Sequence, residues 1–386
     1  MIPLPRAVVA TLAVLLVAGC ASGTDPTDPP ARQVKWSAMA ESPLGSRGGV
    51  LSAWTGEELL ILGGSTSRPC PPGADCVGPS AEQLLTDGAA YDPDTDMWRA
   101  LADAPQTLQW AVATWTGAEL VVVVPALDTE VVQPAATLAY DVAADTWRAL
   151  PAGPAEFYGR GVWNGSELFF PISETTYGAD WALDPATGRW RELSADPFGG
   201  SFDRSFTWVD DRFLVTGLPM SDVGGSDGAP YQLAQYRPDT DTWARLPPTA
   251  VGFWDSTWFL ADGRLVNVRQ DAYTAGSDLS LSPGGQLDLA TGVWSPVPQT
   301  ELSGQKLYLG CQLPAVGPAG DWIGGGGPIL VSLDPPTTTF VDNCAGLTEP
   351  QLAVWTGSEI LMWGGPDAGY ETYLSQGYRW TPPPPS

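Results

Sequence analysis

Two short hydrophobic patterns alternate along the chain after residue 34, and both are typical of β-hairpins. In the first, a hydrophobic residue, usually followed by aspartate, precedes an aromatic residue by seven positions. Pro, Asp, Thr and Gly lie between them, and these residues favour a tight turn between two strands. The pattern occurs at Tyr91/Trp98, Tyr140/Trp147, Leu183/Trp190, Tyr236/Trp243, Leu287/Trp294 and Leu333/Phe340.

The second pattern places an aromatic residue five positions before a Leu, Phe or Ile, with a polar or glycine turn between them. Asn164-Gly165 in one copy is among the strongest two-residue turn signals. Each copy therefore predicts a further hairpin, and two hairpins make a four-stranded unit. Clear copies begin at Trp54, Trp115, Trp163, Trp208 and Trp355, and looser copies occupy 259–268 and 309–331.

The aspartates of the first pattern have two interpretations. Their side chains can accept hydrogen bonds from backbone groups nearby and so cap the turn, or they can bind calcium, as the sequence DPDTD at 92–96 suggests. We favour turn capping.

Four-stranded units of roughly 50 residues, with paired glycines after the second strand and tryptophan near the fourth, resemble kelch repeats. The closest matches are ILGG at 61–64 and MWGG at 362–365, whereas the kelch histidine is absent and most middle copies lack the double glycine. The resemblance covers residues 34–380 and implies an all-β propeller. Seven closing aromatics, from Trp36 to Phe340, predict seven four-stranded blades, or six if 309–347 is an insertion.

The two ends of the chain indicate how the ring closes. The unit that begins at Gln351 has three strands only, whereas VKWSAM at 34–39 is an isolated strand with its own tryptophan. A propeller must hide its last strand edge. We therefore expect the N-terminal strand to complete the C-terminal blade.

The first 33 residues predict export. An apolar run at 7–18 is too short to span a bilayer, and VAGC at 17–20 resembles the lipobox of bacterial lipoproteins. That resemblance implies that Cys20 carries a diacylglyceryl group and begins the mature chain; an ordinary signal peptide is the alternative. We expect a signal peptide at 1–19, the lipidated cysteine and a tether at 20–33, and one propeller domain at 34–386. The protein would then lie on the outside of a bacterial cell membrane, which it contacts through its lipid anchor alone.

Export also explains the remaining cysteines, because disulfides persist outside the cytoplasm. Cys70, Cys76, Cys311 and Cys344 permit three pairings. We favour Cys70 with Cys76 and Cys311 with Cys344, since the first two share a loop and the others flank one unit at the same rim. A metal site is the alternative, but the CxxC spacing is missing.

Charge and composition restrict the chemistry. The chain has 18 Lys plus Arg against 44 Asp plus Glu, a net charge of -26, and no histidine. Such a surface repels nucleic acid, and Ser-His, Cys-His and histidine-metal sites are excluded. Copper oxidases of the kelch fold use histidine, and the SxDxGxTW box of sialidase propellers is missing. We expect neither a metal nor another cofactor.

Four long loops, at 65–88, 125–136, 218–232 and 269–285, are predicted on one face of the propeller. The sequence favours a monomeric binding module for a protein or glycan at that face over an enzyme. The alternative is a sugar epimerase or mutarotase-like enzyme, with an acid and an arginine at the central channel. Candidate ligand-binding residues begin the inner strands, where an ion pair or loop contact is the other interpretation: Arg47, Arg160, Arg204, Asp255 and Gln351.

Overall fold

The computed structural model describes most of residues 36–381, and its secondary structure is almost entirely β. In that part of the chain the one helical element is the 3-10 turn Ala81–Gln83. The described residues are 36–71, 73–128, 132–154, 160–172, 179–198, 200–219, 230–249, 257–261, 263–268, 279–280, 285–296, 301–302, 315–316, 322–323, 329–333, 336–340, 347 and 350–381.

Seven four-stranded antiparallel sheets occur among the described residues, and we number them in chain order. The first strand, β1, is Ser37–Ala38 and belongs to sheet 7. Sheet 1 contains β2 Leu51–Trp54, β3 Leu59–Leu62, β4 Gly88–Asp92 and β5 Met97–Leu101. Sheet 2 contains β6 Val112–Trp115, β7 Glu119–Val124, β10 Ala136–Asp141 and β11 Thr146–Leu150, with the small hairpin β8 Leu127–Asp128 and β9 Val132–Gln133 beside it.

The next two sheets follow the same order. Sheet 3 contains β12 Val162–Trp163, β13 Leu168–Phe170, β14 Trp181–Asp184 and β15 Arg189–Glu192. Sheet 4 contains β16 Ser201–Val209, β17 Arg212–Pro219, β18 Gln232–Arg237 and β19 Thr242–Leu246.

The last three sheets complete the set. Sheet 5 contains β20 Thr257–Ala261, β21 Arg264–Val268, β23 Gly285–Asp288 and β24 Val293–Pro296, and β22 Leu279–Ser280 pairs separately with β25 Glu301–Leu302. Sheet 6 contains β26 Ala315–Val316, β27 Trp322–Ile323, β28 Ile329–Leu333 and β29 Pro336–Phe340. Sheet 7 contains β30 Leu352–Trp355, β31 Ile360–Trp363, β32 Gly377–Trp380 and β1.

The hairpins have the predicted registers in all but one unit. Trp54 lies opposite Leu59 and Tyr91 opposite Trp98, and the equivalent pairs in sheets 2, 3 and 4 match them. Sheet 6 differs, because Leu333 lies opposite Pro336 and Phe340 opposite Ile329. Proline is tolerated at the first position of a strand, so β29 begins at Pro336 and the hairpin is tighter than the fixed spacing predicts.

The second strand of sheet 1 buries both of its faces, because successive side chains point to opposite sides of the sheet. In β3, Leu60 and Leu62 pack against Leu120 and Val122 of sheet 2. The intervening Leu59 and Ile61 pack in the opposite direction, against sheet 7. Because both faces are covered, β3 reads as the continuous apolar run LLIL rather than as alternating polar and apolar residues.

Sheets 1 to 5 pack side by side in chain order, sheet 6 lies next to sheet 7, and sheet 7 packs against sheet 1. Shared buried clusters join sheet 2 to sheet 3, sheet 3 to sheet 4 and sheet 4 to sheet 5. Leu361 and Trp363 of sheet 7 pack against Ile61 and Tyr91 of sheet 1. Four-stranded antiparallel sheets that follow one another around a ring form a β-propeller.

The N-terminal strand closes the ring, as the sequence predicts. Ser37 pairs with Arg379 and Ala38 with Tyr378, which makes β1 the outer strand of sheet 7. The Met39 amide continues the ladder by donating to the Gly377 carbonyl at 2.9 Å. Strands from both ends of the chain therefore form one sheet.

The strands of each sheet end on two faces of the propeller, which we call the hairpin face and the loop face. The hairpin face carries the short turns at 55–58 and 93–96 and their equivalents, and the loop face carries the longer connections at 63–87 and 102–111 and theirs. The first aspartate caps the turn in the hairpins of sheets 1, 2, 3 and 5, as predicted. In sheet 1, for example, Asp92 Oδ1 accepts from the Asp94 amide at 2.8 Å. Among the described residues, no helix is long and apolar enough to cross a bilayer.

Candidate functional site on the loop face

A disulfide restrains the first long connection of the loop face. Cys70 and Cys76 are bonded to each other within residues 63–87, as predicted. The bond closes a short loop that would otherwise have few contacts to order it. The other predicted pair, Cys311 with Cys344, lies outside the described residues.

Arg47 enters the interior just before β2 and is fully engaged there. Its side chain is 5% exposed and binds both carboxylate oxygens of Asp87, at 2.7 and 3.0 Å. The same guanidinium donates to the Gly63 carbonyl at 3.2 Å. The hydrogen bond from Arg47 holds the pKa of the Asp87 carboxyl below its usual range, although burial opposes this effect. The pair fixes the entrance of β4 against the end of β3.

Gln351 connects the last sheet to the first. Its Nε2 donates to the Arg47 carbonyl at 2.5 Å, and its Oε1 accepts from the Val50 amide at 3.4 Å. Gly364 of sheet 7 leaves room for the Gln351 side chain, because a Cβ on Gly364 would lie 3.0 Å from Gln351 Nε2. The φ of Gly364 is +70°, which also favours glycine at this position. Arg47 and Gln351 thus form one cluster at the junction of sheets 7 and 1.

Arg204 forms a second and more deeply buried cluster between sheets 3 and 4. Its guanidinium binds Asp180 at 2.7 Å and Asp196 at 2.5 Å, and the three side chains are 3%, 4% and 8% exposed. Ser201 Oγ lies 3.3 Å from Nη1. Burial raises the pKa of Asp180 to about 6, which outweighs the attraction of Arg204. One cation thus serves two carboxylates, and one of those carboxylates titrates near neutral pH.

The remaining candidates do not join these clusters. Arg160 is exposed just before β12, and the described part of the chain contains no partner for its guanidinium. Asp255 lies outside the described residues. The candidate residues are therefore divided among separate junctions rather than gathered around one substrate. No group of three or more His, Cys, Asp or Glu side chains in the described residues is placed to bind a metal ion.

Sequence reasoning missed a polar latch that repeats between the outer strands of neighbouring sheets. The Trp98 indole of sheet 1 donates to the Ala40 carbonyl at 3.0 Å, and Asp96 accepts from the Ala40 amide at 2.8 Å. Ala40 directly follows the outer strand of sheet 7, so both of its backbone groups are bound by the next sheet. The same arrangement binds Ala102 and Ser194, at the junctions of sheets 1 and 2 and of sheets 3 and 4.

A buried tyrosine joins this latch to an ion pair. Tyr91 donates to Asp96 at 2.7 Å and accepts from Arg379 of sheet 7 at 3.3 Å. Arg379 in turn binds both carboxylate oxygens of Glu359, at 2.7 and 2.6 Å. Burial and the bond to Asp96 raise the pKa of Tyr91. The constant five-residue spacing of the tyrosine and the last aspartate of the turn was visible in the sequence, and it was the signal for this latch.

Two clefts among the described residues lie on the hairpin face. One of them separates sheets 7 and 1 and is lined by Glu57, Glu58, Asp94 and Glu359. Its lining is acidic, so an anionic ligand would be repelled there.

No family model matches the chain, and no curated protein is detectably similar to it in sequence. Among solved structures, the chain is similar to the structure of YjhT, with 13% identity and a TM-score of 0.47 over 88% of this chain and 95% of that one. It is also similar to TolB from Acinetobacter baumannii, with 14% identity and a TM-score of 0.41 over 84% and 64%. These likenesses are too distant to assign a function. The order and packing of the sheets define the chain as a β-propeller.

Proposed function

We propose that the protein is an exported lipoprotein whose kelch-like propeller recognises a protein or glycan through its loop face. The lipobox at 17–20 and the cysteines support export, and Cys20 carries the anchor. The propeller has seven blades, since each four-stranded sheet corresponds to one repeat. The protein acts as a monomer, and its tether holds the ring away from the membrane surface.

The observation that carries this proposal is the distribution of exposed apolar side chains. Val77, Trp110 and Val132 are 85%, 73% and 79% exposed and lie on loop-face connections, whereas Met97 and Val293 on the hairpin face are less exposed, at 64% and 60%. Large side chains that are kept in water on a rigid scaffold favour an interaction surface. The disulfide on the same face restrains its loop, so less conformational entropy of the loop is lost when a partner binds.

A matched pair of modified proteins tests the proposal. In a Cys20→Ser background, Val132→Cys places a thiol on the loop face and Met97→Cys, 64% exposed in the parent, places one on the hairpin face. Each thiol is coupled to a polyethylene glycol chain. Binding is measured on a printed glycan array and on purified envelope proteins of the same bacterium.

We expect the unmodified chain to bind at least one probe and the conjugate at 132 to lose that binding, while the conjugate at 97 retains it. Loss through the conjugate at 97 alone would overturn the proposal. Failure of the unmodified chain to bind any probe would also overturn it.

A sugar epimerase or mutarotase-like activity is the second candidate, and the Arg204 cluster favours it. Asp180, with a pKa raised to about 6, has the protonation range of a general acid or base near neutral pH. Its carboxylate is 4% exposed and bound to Arg204, so a substrate would have to open the cluster. Exchange NMR of reducing sugars distinguishes the candidates: acceleration by the wild type that is lost in Asp180→Asn would establish catalysis.

A further inference from the structure

Trp110 is a large aromatic residue in a strained and exposed conformation. Its φ is +57°, in the left-handed region that bulky side chains rarely adopt. Its side chain is 73% exposed, so burial of the ring does not compensate for the strain. Such strained residues concentrate at binding sites, where the surrounding structure holds them in place.

The loop around Trp110 is held firmly by its neighbours. Gln133, 2% exposed, donates to the Gln109 carbonyl at 2.9 Å and accepts from the Gln109 amide at 3.2 Å and the Thr107 hydroxyl at 2.9 Å. Leu108 is buried in the core between sheets 1 and 2. The backbone on the N-terminal side of Trp110 is thus fixed, while the ring itself projects into solvent. This geometry presents the indole without a loss of loop entropy on binding.

The segment that carries Trp110 is itself uncharged. Residues 104–118 contain no charged side chain, although Asp103 precedes them and the loop that carries Val132 contains Asp128 and Glu130. Within the described residues, Gln109 Oε1 is buried without a hydrogen-bond partner, which leaves an acceptor unsatisfied beside the ring. Val132, which is 79% exposed, directly precedes Gln133, the residue that bonds the Gln109 backbone. An exposed aromatic ring and an exposed valine are therefore presented by two segments that Gln133 holds together.

We propose that Trp110 is a stacking platform for a neutral glycan, a proposal that rests on recognition by the loop face. The indole would cover the C–H face of a pyranose ring, whose hydroxyls would stay in contact with water at the rim of the loop. A polyanion is disfavoured by the net charge. A basic peptide would pair with carboxylates, and the segment that carries Trp110, residues 104–118, has none.

Native electrophoresis through gels that contain a polysaccharide tests this inference, because the acidic chain migrates readily. The probes are a β-glucan, an α-glucan and a mannan, with polygalacturonate as the anionic comparison. The variants are Trp110→Gly, which suits a positive φ, and Trp110→Phe, which keeps an aromatic ring. Met97→Ala on the hairpin face is the matched control.

We expect at least one neutral polysaccharide to retard the wild type, Trp110→Phe and Met97→Ala, and Trp110→Gly to bind about tenfold more weakly or not at all. The melting temperature of Trp110→Gly should equal or exceed that of the wild type, because glycine relieves the strain. Weaker binding together with an undiminished melting temperature distinguishes a ligand contact from a role in folding.

Several results would overturn the inference. Equal retardation of the wild type and Trp110→Gly would show that Trp110 does not bind the glycan. Recognition by the loop face would then still be tested by the polyethylene glycol conjugates at 132 and 97. Retardation by polygalacturonate alone, or by none of the polysaccharides, would exclude a neutral glycan, and a protein partner would then be the remaining ligand. A large fall in the melting temperature of Trp110→Gly would show that the ring serves packing instead.

Discussion

Removal of the Tyr91 hydroxyl should loosen the junction at which the ring closes. Tyr91 bonds Asp96 at 2.7 Å and Arg379 at 3.3 Å, so Tyr91→Phe removes two hydrogen bonds to charged groups without changing the packed ring. A hydrogen bond to a charged group contributes about 1.5–3 kcal/mol. Asp96 and Arg379 keep the Ala40 amide and Glu359 as partners. We therefore expect the lower end of that range for the substitution as a whole, about 1.5 kcal/mol.

This loss corresponds to a small but measurable change in melting temperature. The entropy of unfolding of a domain of this size is roughly 0.7 kcal/mol/K, so 1.5 kcal/mol lowers the melting temperature by about 2 °C. Calorimetry of the mature chain measures it directly. Tyr140→Phe and Tyr236→Phe, at the junctions of sheets 1 and 2 and of sheets 3 and 4, should cost similar amounts, because their hydroxyls bond Asp145 and Asp241 in the same way.

The control is Tyr378→Phe, since its hydroxyl bonds the nearby Gln376 of the same segment, at 3.2 Å, and no other described residue. We expect this variant to melt close to the wild type. A Tyr91→Phe protein as stable as Tyr378→Phe would refute the latch.

The latch also predicts a dependence on pH. Burial raises the pKa of Tyr236 to about 12. The unfolded tyrosine ionises near pH 10, so this contribution is complete below pH 10 and is lost as the pH rises toward 12. The free energy of unfolding of Tyr236→Phe should therefore fall less than that of the wild type between about pH 10 and pH 12.

Three further outcomes follow from the closure of the ring, the anchor and the buried carboxylate. Deletion of residues 34–43 exposes the edge of β32, so the truncated chain should aggregate or melt at a markedly lower temperature; an unchanged melting curve would contradict the closure. Cys20→Ala should release the protein from membranes in a fractionation experiment, and a variant that stays membrane-bound would show that the lipobox is misread. Because the pKa of Asp180 is raised to about 6, the folded state binds the extra proton, and stability should fall as the pH rises from about 4 to 6; Asp180→Asn should abolish this slope in urea melts.

Much of the fold followed from local sequence, because each hairpin depends on a turn and on two opposed side chains. Trp54 and Leu59 predicted their pairing from spacing alone, and the register agrees. The tight hairpin at Pro336 did not follow, since a fixed spacing does not account for where proline permits a strand to begin.

The site was less predictable than the fold, because its contacts join distant segments. Arg47 and Asp87 are 40 residues apart, and their pairing depends on the path of a long connection. The partners of Asp96 lie in another sheet, so its five-residue spacing from Tyr91 had no interpretation until the junction was known. The positive φ of Trp110 has no sequence signal, because glycine and asparagine are the residues that usually mark such positions.

Recognition through the loop face is tested most directly by hydroxyl-radical footprinting with and without a bound polysaccharide. The exposed side chains of the described residues include Val77, Trp110 and Val132 on the loop face, and Met97 and Val293 on the hairpin face. All five are accessible in the free chain, so their oxidation rates report which face a ligand covers. We predict protection of Trp110 and Val132, with Met97 and Val293 unchanged. Protection of Met97 or Val293 while Trp110 stays reactive would contradict recognition through the loop face.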